Sequence, residues 1–496
     1  MGSIRKQTII SSILVYIGFL IGAVNIYLYT KNGSFTLQQY GLTKIFFDFG
    51  QNMYTFASLG VIPVIYKFYP YYKDNLEDHK IDLITWAMFS ALIGFILVMI
   101  AGWYFEPLIA RKYTLRSKLI VDYYYWIFPF AAGMLFFSVI EGFCWAVQKT
   151  VASNFLKETV LRFITTIFIL LFYFKLIDFA TFIHLFAFLY VFIFIFLVIY
   201  LQSIGKFHFS LTISRVTKKF IKKMMSMQLL IFSGTVIASL AATLDGPIIA
   251  GFQSIGIVAI FALAQYVANL IQVPQRSIQG ISVGVLSRAW KDKNMNEIFR
   301  VYQRSCINLL LLGLFIFGNV WLNIKPGLEF FNVQKEYSAG LSTLLVLSFA
   351  RIIDAGTGVN GLVIGTSTFW RFDFFSGVVL LGFRLPLTFY LIKHYGIIGS
   401  AFADLTAMTV YNYIRFEFLR RKFNMQPFNL KTVYSILLAF ASYYLSFYLF
   451  NSMNGLAGMI LRSLLFSIII IAGIFYLQLT PDAIQLYDSF KKRWRK

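Results

Sequence analysis

Ionised residues are scarce in this chain of 496 residues: Asp, Glu, Lys and Arg together make up 13%, about half the ~25% typical of soluble globular domains. With 59% of residues apolar and a mean hydropathy of +0.72, a water-soluble globular protein is excluded. Acidic residues are scarcer still, 21 against 44 Lys and Arg, which leaves a formal charge of +23. Nucleic acid is not the implied partner. Hydrophobic spans place a bilayer with anionic headgroups beside every basic stretch, and cytoplasmic loops of membrane proteins are rich in Lys and Arg. Only two cysteines occur, Cys144 and Cys306, both in or beside apolar segments, and they read as packing residues, not a disulfide. The histidines His79, His184, His208 and His394 are scattered and form no His-Glu-x-x-His, so no metal site is expected and a zinc peptidase is unsupported. His184 lies among apolar residues and reads as a hydrogen-bonded core histidine before it reads as an acyltransferase base. No Gly-x-x-x-x-Gly-Lys-Ser/Thr is present, which excludes ATP hydrolysis by a P-loop of this chain; transport would be secondary or passive, and no cofactor is expected.

What is present is a series of apolar stretches of the ~20 residues that cross a bilayer. Fourteen are expected, at 8–30, 45–66, 83–105, 119–146, 153–174, 178–202, 226–250, 254–285, 304–322, 340–366, 372–393, 397–419, 432–450 and 456–478. The first follows Arg5 and Lys6, is too long for a signal peptide and lacks a small-residue cleavage site, so it is retained as a helix. With the N-terminus placed in the cytoplasm, 26 of the 44 basic residues fall in cytoplasmic segments, nine outside and nine within spans, which orients both termini inward. Arg111, Lys112, Arg116 and Lys118 dissent by falling outside. The tail around Trp494, with Lys491, Lys492, Arg493, Arg495 and Lys496, suits anionic headgroups, though a solvated tail is the simpler reading.

The basic run Arg215, Lys218, Lys219, Lys222 and Lys223 divides the chain near its middle. Tyr40 to Asn75 runs from a Tyr-Gly pair through an apolar stretch to Lys73-Asp74-Asn75. Ile255-Gly256 leads similarly to Trp290-Lys291-Asp292-Lys293-Asn294. This suggests an internal repeat, with an N-terminal lobe at 1–214, a C-terminal lobe at 215–430, and two further helices with the basic tail at 431–496. Six helices per lobe place the pseudo-two-fold axis along the membrane normal. The fold class expected is therefore an all-α polytopic membrane protein of about fourteen helices.

Gly356-Thr357-Gly358-Val359-Asn360-Gly361 matches the dinucleotide-binding spacing, but no strand or soluble βαβ unit surrounds it, so tight packing or a bend is expected there. Gly18 with Gly22 and Gly361 with Gly365 read as packing faces. Pro63, Pro129, Pro247, Pro274 and Pro386 fall within or at the ends of spans, where kinks are expected.

Charges at bilayer depth cost at least ~2.5–3.5 kcal/mol and rarely face lipid, so they carry the functional signal. Glu158 and Arg162, at i and i+4, read as a structural pair, whereas Asp48 and Glu141 have no local partner and are candidate proton or cation sites. The second half contributes Asp245, Arg276, Arg351, Asp354, Arg384 and Asp404. Arg351 and Arg384 each lie about 16 Å into their helices at ~1.5 Å per residue, near the midplane. Arg276, Arg351 and Arg384 can together coordinate an anion such as a phosphate. The competing arrangement is internal: Arg351 with Asp354 at i, i+3, and Arg384 with Asp404 on the next helix.

Tyr40-Gly41-Leu42, Phe56-Ala57-Ser58-Leu59-Gly60, Lys67-Phe68-Tyr69-Pro70, Val273-Pro274-Gln275-Arg276 leading to Ala289-Trp290-Lys291, and Thr357-Gly358-Val359-Asn360-Gly361 make most of residues 1–430 resemble bacterial polysaccharide (O-antigen-type) flippases. These belong to the multidrug/oligosaccharidyl-lipid/polysaccharide exporter superfamily. The resemblance implies a V-shaped, two-lobed bundle in the cytoplasmic membrane that moves undecaprenyl-pyrophosphate-linked oligosaccharides outward by alternating access. It also implies a basic cavity for the pyrophosphate and a polysaccharide polymerase machinery as partner. Only Arg276 is carried over from a matching motif. The first helices hold no arginine beyond Arg5, which implies a cargo other than a peptidoglycan precursor. The alternatives are a cation-coupled multidrug antiporter centred on Asp48 and Glu141, and a membrane polysaccharide polymerase or acyltransferase. The enzyme is disfavoured because the longest external connection, 323–339, is short.

Overall fold

The structure, a computed structural model, describes residues 2–482; the basic tail around Trp494 lies outside the described residues. Among them the helices group into fourteen rods, several interrupted, connected by short turns and with no strands. Ten helices are long and apolar enough to cross a membrane by themselves. Three of the remaining rods fall short for visible reasons. The second is broken between Leu37–Ala57 and Val61–Asn75, the fifth carries Lys157, Glu158 and Arg162, and the twelfth, Ile397–Phe423, carries Asp404 and ends in Arg420, Arg421 and Lys422. The chain is a multi-pass membrane protein.

The expected prolines turn out to begin helices more often than they bend them. Pro63, Pro129, Pro247 and Pro274 lie in the first three residues of Val61–Asn75, Ile127–Ala146, Asp245–Phe252 and Val273–Lys291. There the missing N–H has no intrahelical acceptor to lose. Only Pro386 sits inside its helix, Trp370–Tyr395.

Two compact units form, Met1–Ala259 and Ile260–Lys496. In the first, aromatic rings interlock. Phe130 stacks on Phe186 at 5.4 Å and meets Phe46, Phe47 and Tyr190 edge-on, while Phe182 continues the layer to Phe35. Lipid supplies no hydrophobic drive for helices to associate, so such rings and small-residue approaches hold the rods together by van der Waals contact and interhelical hydrogen bonds. At Gly60 the backbone turns left-handed (φ 74°), and any Cβ would collide with the backbone of Gln228 and Phe232 on the Arg215–Thr243 helix. Gly18 lies against the Glu158 carbonyl and Gly22 against the Arg162 side chain, so this small-residue face receives the fifth rod.

The Arg215–Thr243 helix and the Asp245–Phe252 helix that follows it pack on this first unit along their whole length. Asp82 accepts from Ser214 N–H and the Thr217 hydroxyl, and Gln228 donates to Ser90. At the far end Tyr113 and Ser117 donate to the carbonyls of Pro247 and Ala250, Arg116 donates to the carbonyl of Phe252, and Lys112 lies 4.2 Å from the Phe252 ring centroid. Two of the dissenting cations are thus used locally. They meet the carbonyl end of a helix, where positive charge is favoured.

In the second unit Val273–Lys291, Met295–Phe330 and Asn360–Gly365 share a core of Leu286, Ile298, Tyr302, Val359 and Val363, and Cys306 is buried within it. Cys144 is also buried, and both thiols are free. The last two helices, Leu430–Phe450 and Gly455–Tyr476, dock on Met295–Phe330 through Leu322, Ala439, Phe466 and Ile470. Phe466 fits because Gly318 has no side chain. Buried Arg462 donates to the carbonyls of Phe450 and Met453, closing the turn between them. The rod that ends at Lys291 repeats the plan of the one that ends at Asn75. In each a helix stops, at Ala57 or Asn269, and after three residues a second helix resumes.

Candidate functional site

Helix breaks inside a bilayer expose backbone and demand polar partners, and in the second unit two of them lie beside the charged residues. Between Ile255–Asn269 and Val273–Lys291 the chain takes a tight turn at Leu270–Gln272. Between Leu341–Gly356 and Asn360–Gly365 it turns at Thr357 to Val359, with Gly358 left-handed (φ 69°) and lacking room for a Cβ beside Ser305 and Cys306. The glycine motif is therefore a bend, and Gly361 makes space for the Arg415 guanidinium, which pairs with Asp373.

Arg351 and Arg384 converge on one carboxylate. Arg351 Nη1 lies 2.9 Å from Asp404 Oδ2, and Arg384 Nη2 lies 3.2 Å from Asp404 Oδ1. Arg351 Nε also donates to Asn269 Oδ1 at 2.9 Å. All three ions are buried, the arginines 7% exposed and Asp404 1%. Arginine stays protonated in proteins, so two guanidinium groups against one carboxylate leave a formal surplus of one positive charge at bilayer depth.

The expected Arg351–Asp354 pair is corrected. Asp354 turns away and accepts from Gln272 Nε2 at 2.7 Å, Gln275 Nε2 at 3.2 Å and Asn412 Nδ2 at 3.1 Å. Asn412 Oδ1 in turn accepts from Thr357 and Asn360 at the bend. Three amide donors satisfy Asp354, which frees Arg351 to share Asp404 with Arg384. Arg276 does not join them. It is exposed, one residue past Gln275, and has no ion-pair partner among the described residues.

The first unit presents a different chemistry. Asp48, Asn52 and Thr55 form a polar stripe on Leu37–Ala57. Asn52 Oδ1 accepts from Ser239 at 3.1 Å and Thr243 at 2.9 Å, and the Thr55 hydroxyl donates to Ser239 at 3.1 Å. Asp48 Oδ2 rests against Gly246, where any Cβ would collide with it, and Asp48 interacts electrostatically with Lys44 and Asp245. Asp245, counted with the second half by sequence position, thus packs beside Asp48. Glu141, without a local partner in the sequence, meets a distant one: Lys157 Nζ lies 2.9 Å from its Oε2. Lys157 belongs to the π-helical turn Phe155–Val160 and reaches across to Glu141 on the Ile127–Ala146 helix. Glu158 and Arg162 pair at 2.9 Å. His184 stacks on Trp126 with centroids 4.0 Å apart.

Sequence reasoning missed Asn269, Gln272, Gln275 and Asn412 in the second unit and Asn52, Ser239 and Thr243 in the first. The 48, 52, 55 spacing of the stripe was a usable signal, being one helix face. Among the described residues no group of three or more His, Cys, Asp or Glu is arranged to hold a metal ion.

No family model matches the sequence, and no curated protein matches it. Solved structures do match in three dimensions. A lipid II flippase, MurJ, in an inward closed conformation aligns with a TM-score of 0.72 at 15% identity, covering 95% of this chain and 99% of that one. An inward-facing multidrug resistance MATE transporter of the MOP superfamily aligns at 0.63 and 13% identity, covering 83% and 98%. A MOP-superfamily transporter from Pyrococcus furiosus aligns at 0.54 and 15% identity, covering 84% and 95%. This chain shares its fold with these flippase and transporter structures.

Proposed function

We propose that this protein is a flippase that carries undecaprenyl-pyrophosphate-linked oligosaccharide repeat units across the bacterial cytoplasmic membrane for surface polysaccharide assembly. It works by alternating access between two six-helix lobes, with both termini in the cytoplasm. The observation that carries the reading is the buried Arg351–Asp404–Arg384 cluster, whose surplus positive charge suits a phosphate anion better than an organic cation. A shared fold with a lipid II flippase supports the class of reaction. Arg351 and Arg384 receive the pyrophosphate through charge-assisted, bidentate hydrogen bonds, with exposed Arg276 as a third contact, while the polyprenyl tail stays in lipid. In the empty carrier Asp404 takes the anion's place, which spares two guanidinium groups an unpaired burial.

A second reading, a cation-coupled multidrug antiporter, is favoured by the paired acids Asp48 and Asp245 and by the MATE transporters among the structural neighbours. In the flippase reading the same acids become candidates for ion coupling.

A deletion strain separates the two. The flippase reading expects lipid-linked repeat units to accumulate in the inner leaflet and surface polysaccharide to disappear. Normal surface polysaccharide with increased sensitivity to cationic drugs would overturn it in favour of the antiporter.

A further inference from the structure

The basic run at the start of the Arg215–Thr243 helix borders an apolar groove. Its walls are the Leu83–Tyr113 and Arg215–Thr243 helices, and the loop before Ser214 closes one end, leaving a cavity of about 370 Å³ lined by Trp86, Phe89, Leu211, Ile213 and Ile221 with Lys218 at the rim. The loop is pinned in place. Ser210 N–H donates to Thr85 at 3.0 Å and Ser214 N–H to Asp82 at 2.9 Å. Pinning it this way leaves Leu211 80% and Ile213 65% exposed, which is costly in water and costs nothing against lipid. The Asp82 carboxylate, which also lines the cavity, is buried under the loop and accepts from Ser214 N–H and the Thr217 hydroxyl.

The charge on the groove is graded along its length. Lys218 and Lys222, one turn apart, are exposed, and the same face continues as exposed Met225 and Leu229. From Lys218 to Leu229 is about 16 Å at ~1.5 Å per residue, roughly half the ~30 Å hydrocarbon core and so one leaflet deep. The opposite wall is apolar over a similar depth, through exposed Phe89, Ile93, Ile96 and Ile100. The Gln228 to Ser90 hydrogen bond of 2.8 Å joins the two helices. None of Arg215, Lys218, Lys219, Lys222 and Lys223 has an ion-pair partner among the described residues. The sequence has no acidic residue between Asp178 and Asp245.

We propose that this groove is a binding site for one anionic phospholipid, its phosphate held by Lys218 and Lys222 and an acyl chain lying between the two helices over Ile213 and Phe89. The site belongs to the leaflet that contains this end of the helices, and it stands whether the carried substrate is a lipid-linked sugar or a drug. Phosphatidylglycerol satisfies both demands, one net negative charge and one leaflet of chain, whereas phosphatidylcholine of the same chains supplies only the second.

The test is native mass spectrometry of the full chain in detergent, titrated with phosphatidylglycerol and with phosphatidylcholine of identical chains. Wild type is expected to hold one phosphatidylglycerol in clear preference to phosphatidylcholine. K218E/K222E should bind phosphatidylglycerol at least about 25-fold more weakly, at roughly fivefold per cation removed with the repulsion of the new carboxylates added, and lose the preference. Ile213→Asp should weaken both lipids. Lys291→Glu, in the second unit, should change neither, and unaltered melting temperatures identify variants that fold. Equal binding of the two lipids by wild type, or an undiminished preference in folded K218E/K222E, would overturn the proposal. Retention of an undecaprenyl phosphate in place of phosphatidylglycerol would overturn it as well.

Discussion

The two units bury polar groups in opposite ways. The first lines one helix with a carboxylate, an amide and a hydroxyl, Asp48, Asn52 and Thr55, and answers them with Ser239, Thr243 and Asp245, so its interior polarity is neutral to acidic. The second holds two arginines on a single carboxylate and surrounds another carboxylate with amides alone, so its interior is cationic at one point and keeps an amide-bound carboxylate beside it. The difference teaches that one chain can bury opposite kinds of polar group in lipid, acids answered by hydroxyls in one unit and paired guanidinium groups in the other.

The largest effect expected is from removing Asp404. Asp404→Ala leaves two buried guanidinium groups facing each other and should destabilise the second unit by about 3–5 kcal/mol, read as a fall in the unfolding midpoint in detergent. Replacing all three ions together, R351M/D404L/R384M, should restore much of that stability, because a buried ion network and apolar residues of similar volume are close in free energy. Transport should stay lost. A triple variant that still transports would dissolve the contrast between the units.

Next comes Asp354→Leu, which strips the acceptor from three amide donors. Each unsatisfied buried group costs about 1–3 kcal/mol, and relaxation at the neighbouring bend should hold the total to about 3 kcal/mol, measured in the same way. In the first unit, Gly246→Ala should cost about 1–3 kcal/mol by driving a methyl into the Asp48 carboxylate, and Asp48→Ser in the same chain should recover most of it. A coupling of about 1–2 kcal/mol in that double-mutant cycle, within the range of residues in contact, verifies that the two helices meet there. Ser239→Ala should cost only about 0.6 kcal/mol, the average for hydrogen bonds between helices in lipid.

Outside the membrane the effects should be smallest. The hydrogen bond from Lys206, on the loop after Leu189–Ser203, holds the exposed Asp78 carboxyl below its usual range. A depressed carboxyl stabilises the fold above its unfolded pKa and gives that up as pH falls through the folded value. Stability should therefore slip slightly on acidification below about pH 4, the ordinary Asp value. Asp78→Asn should remove this dependence without a measurable change at neutral pH, as solvent-exposed pairs contribute little.

Much of this was legible in the sequence. Fourteen apolar stretches announce fourteen rods because a bilayer demands about 20 apolar residues from each, and charges such as Arg351, Arg384 and Asp404 stand out against them. The breaks were harder to read, since a proline in an apolar run looks the same whether it kinks a helix or begins one, and Pro63, Pro129, Pro247 and Pro274 begin theirs. Pairing was least legible. Arg351 and Asp354 have the spacing of a local pair, but the partners of Asp354 are Gln272, Gln275 and Asn412, uncharged amides that carry no special mark in a sequence. Lys157 reaches Glu141 from a π-helical turn that no periodicity announces.

The central claim is that the second unit's arginines hold the anionic linkage of a lipid-borne sugar. It is tested most directly by flipping a labelled polyprenyl-pyrophosphate oligosaccharide in proteoliposomes with wild type and with R351Q/R384Q, each first shown to be folded. Two lost charge-assisted interactions, at about 1.5–3 kcal/mol each, should slow translocation by about a hundredfold or more. Translocation by the folded double variant at the wild-type rate would contradict the account.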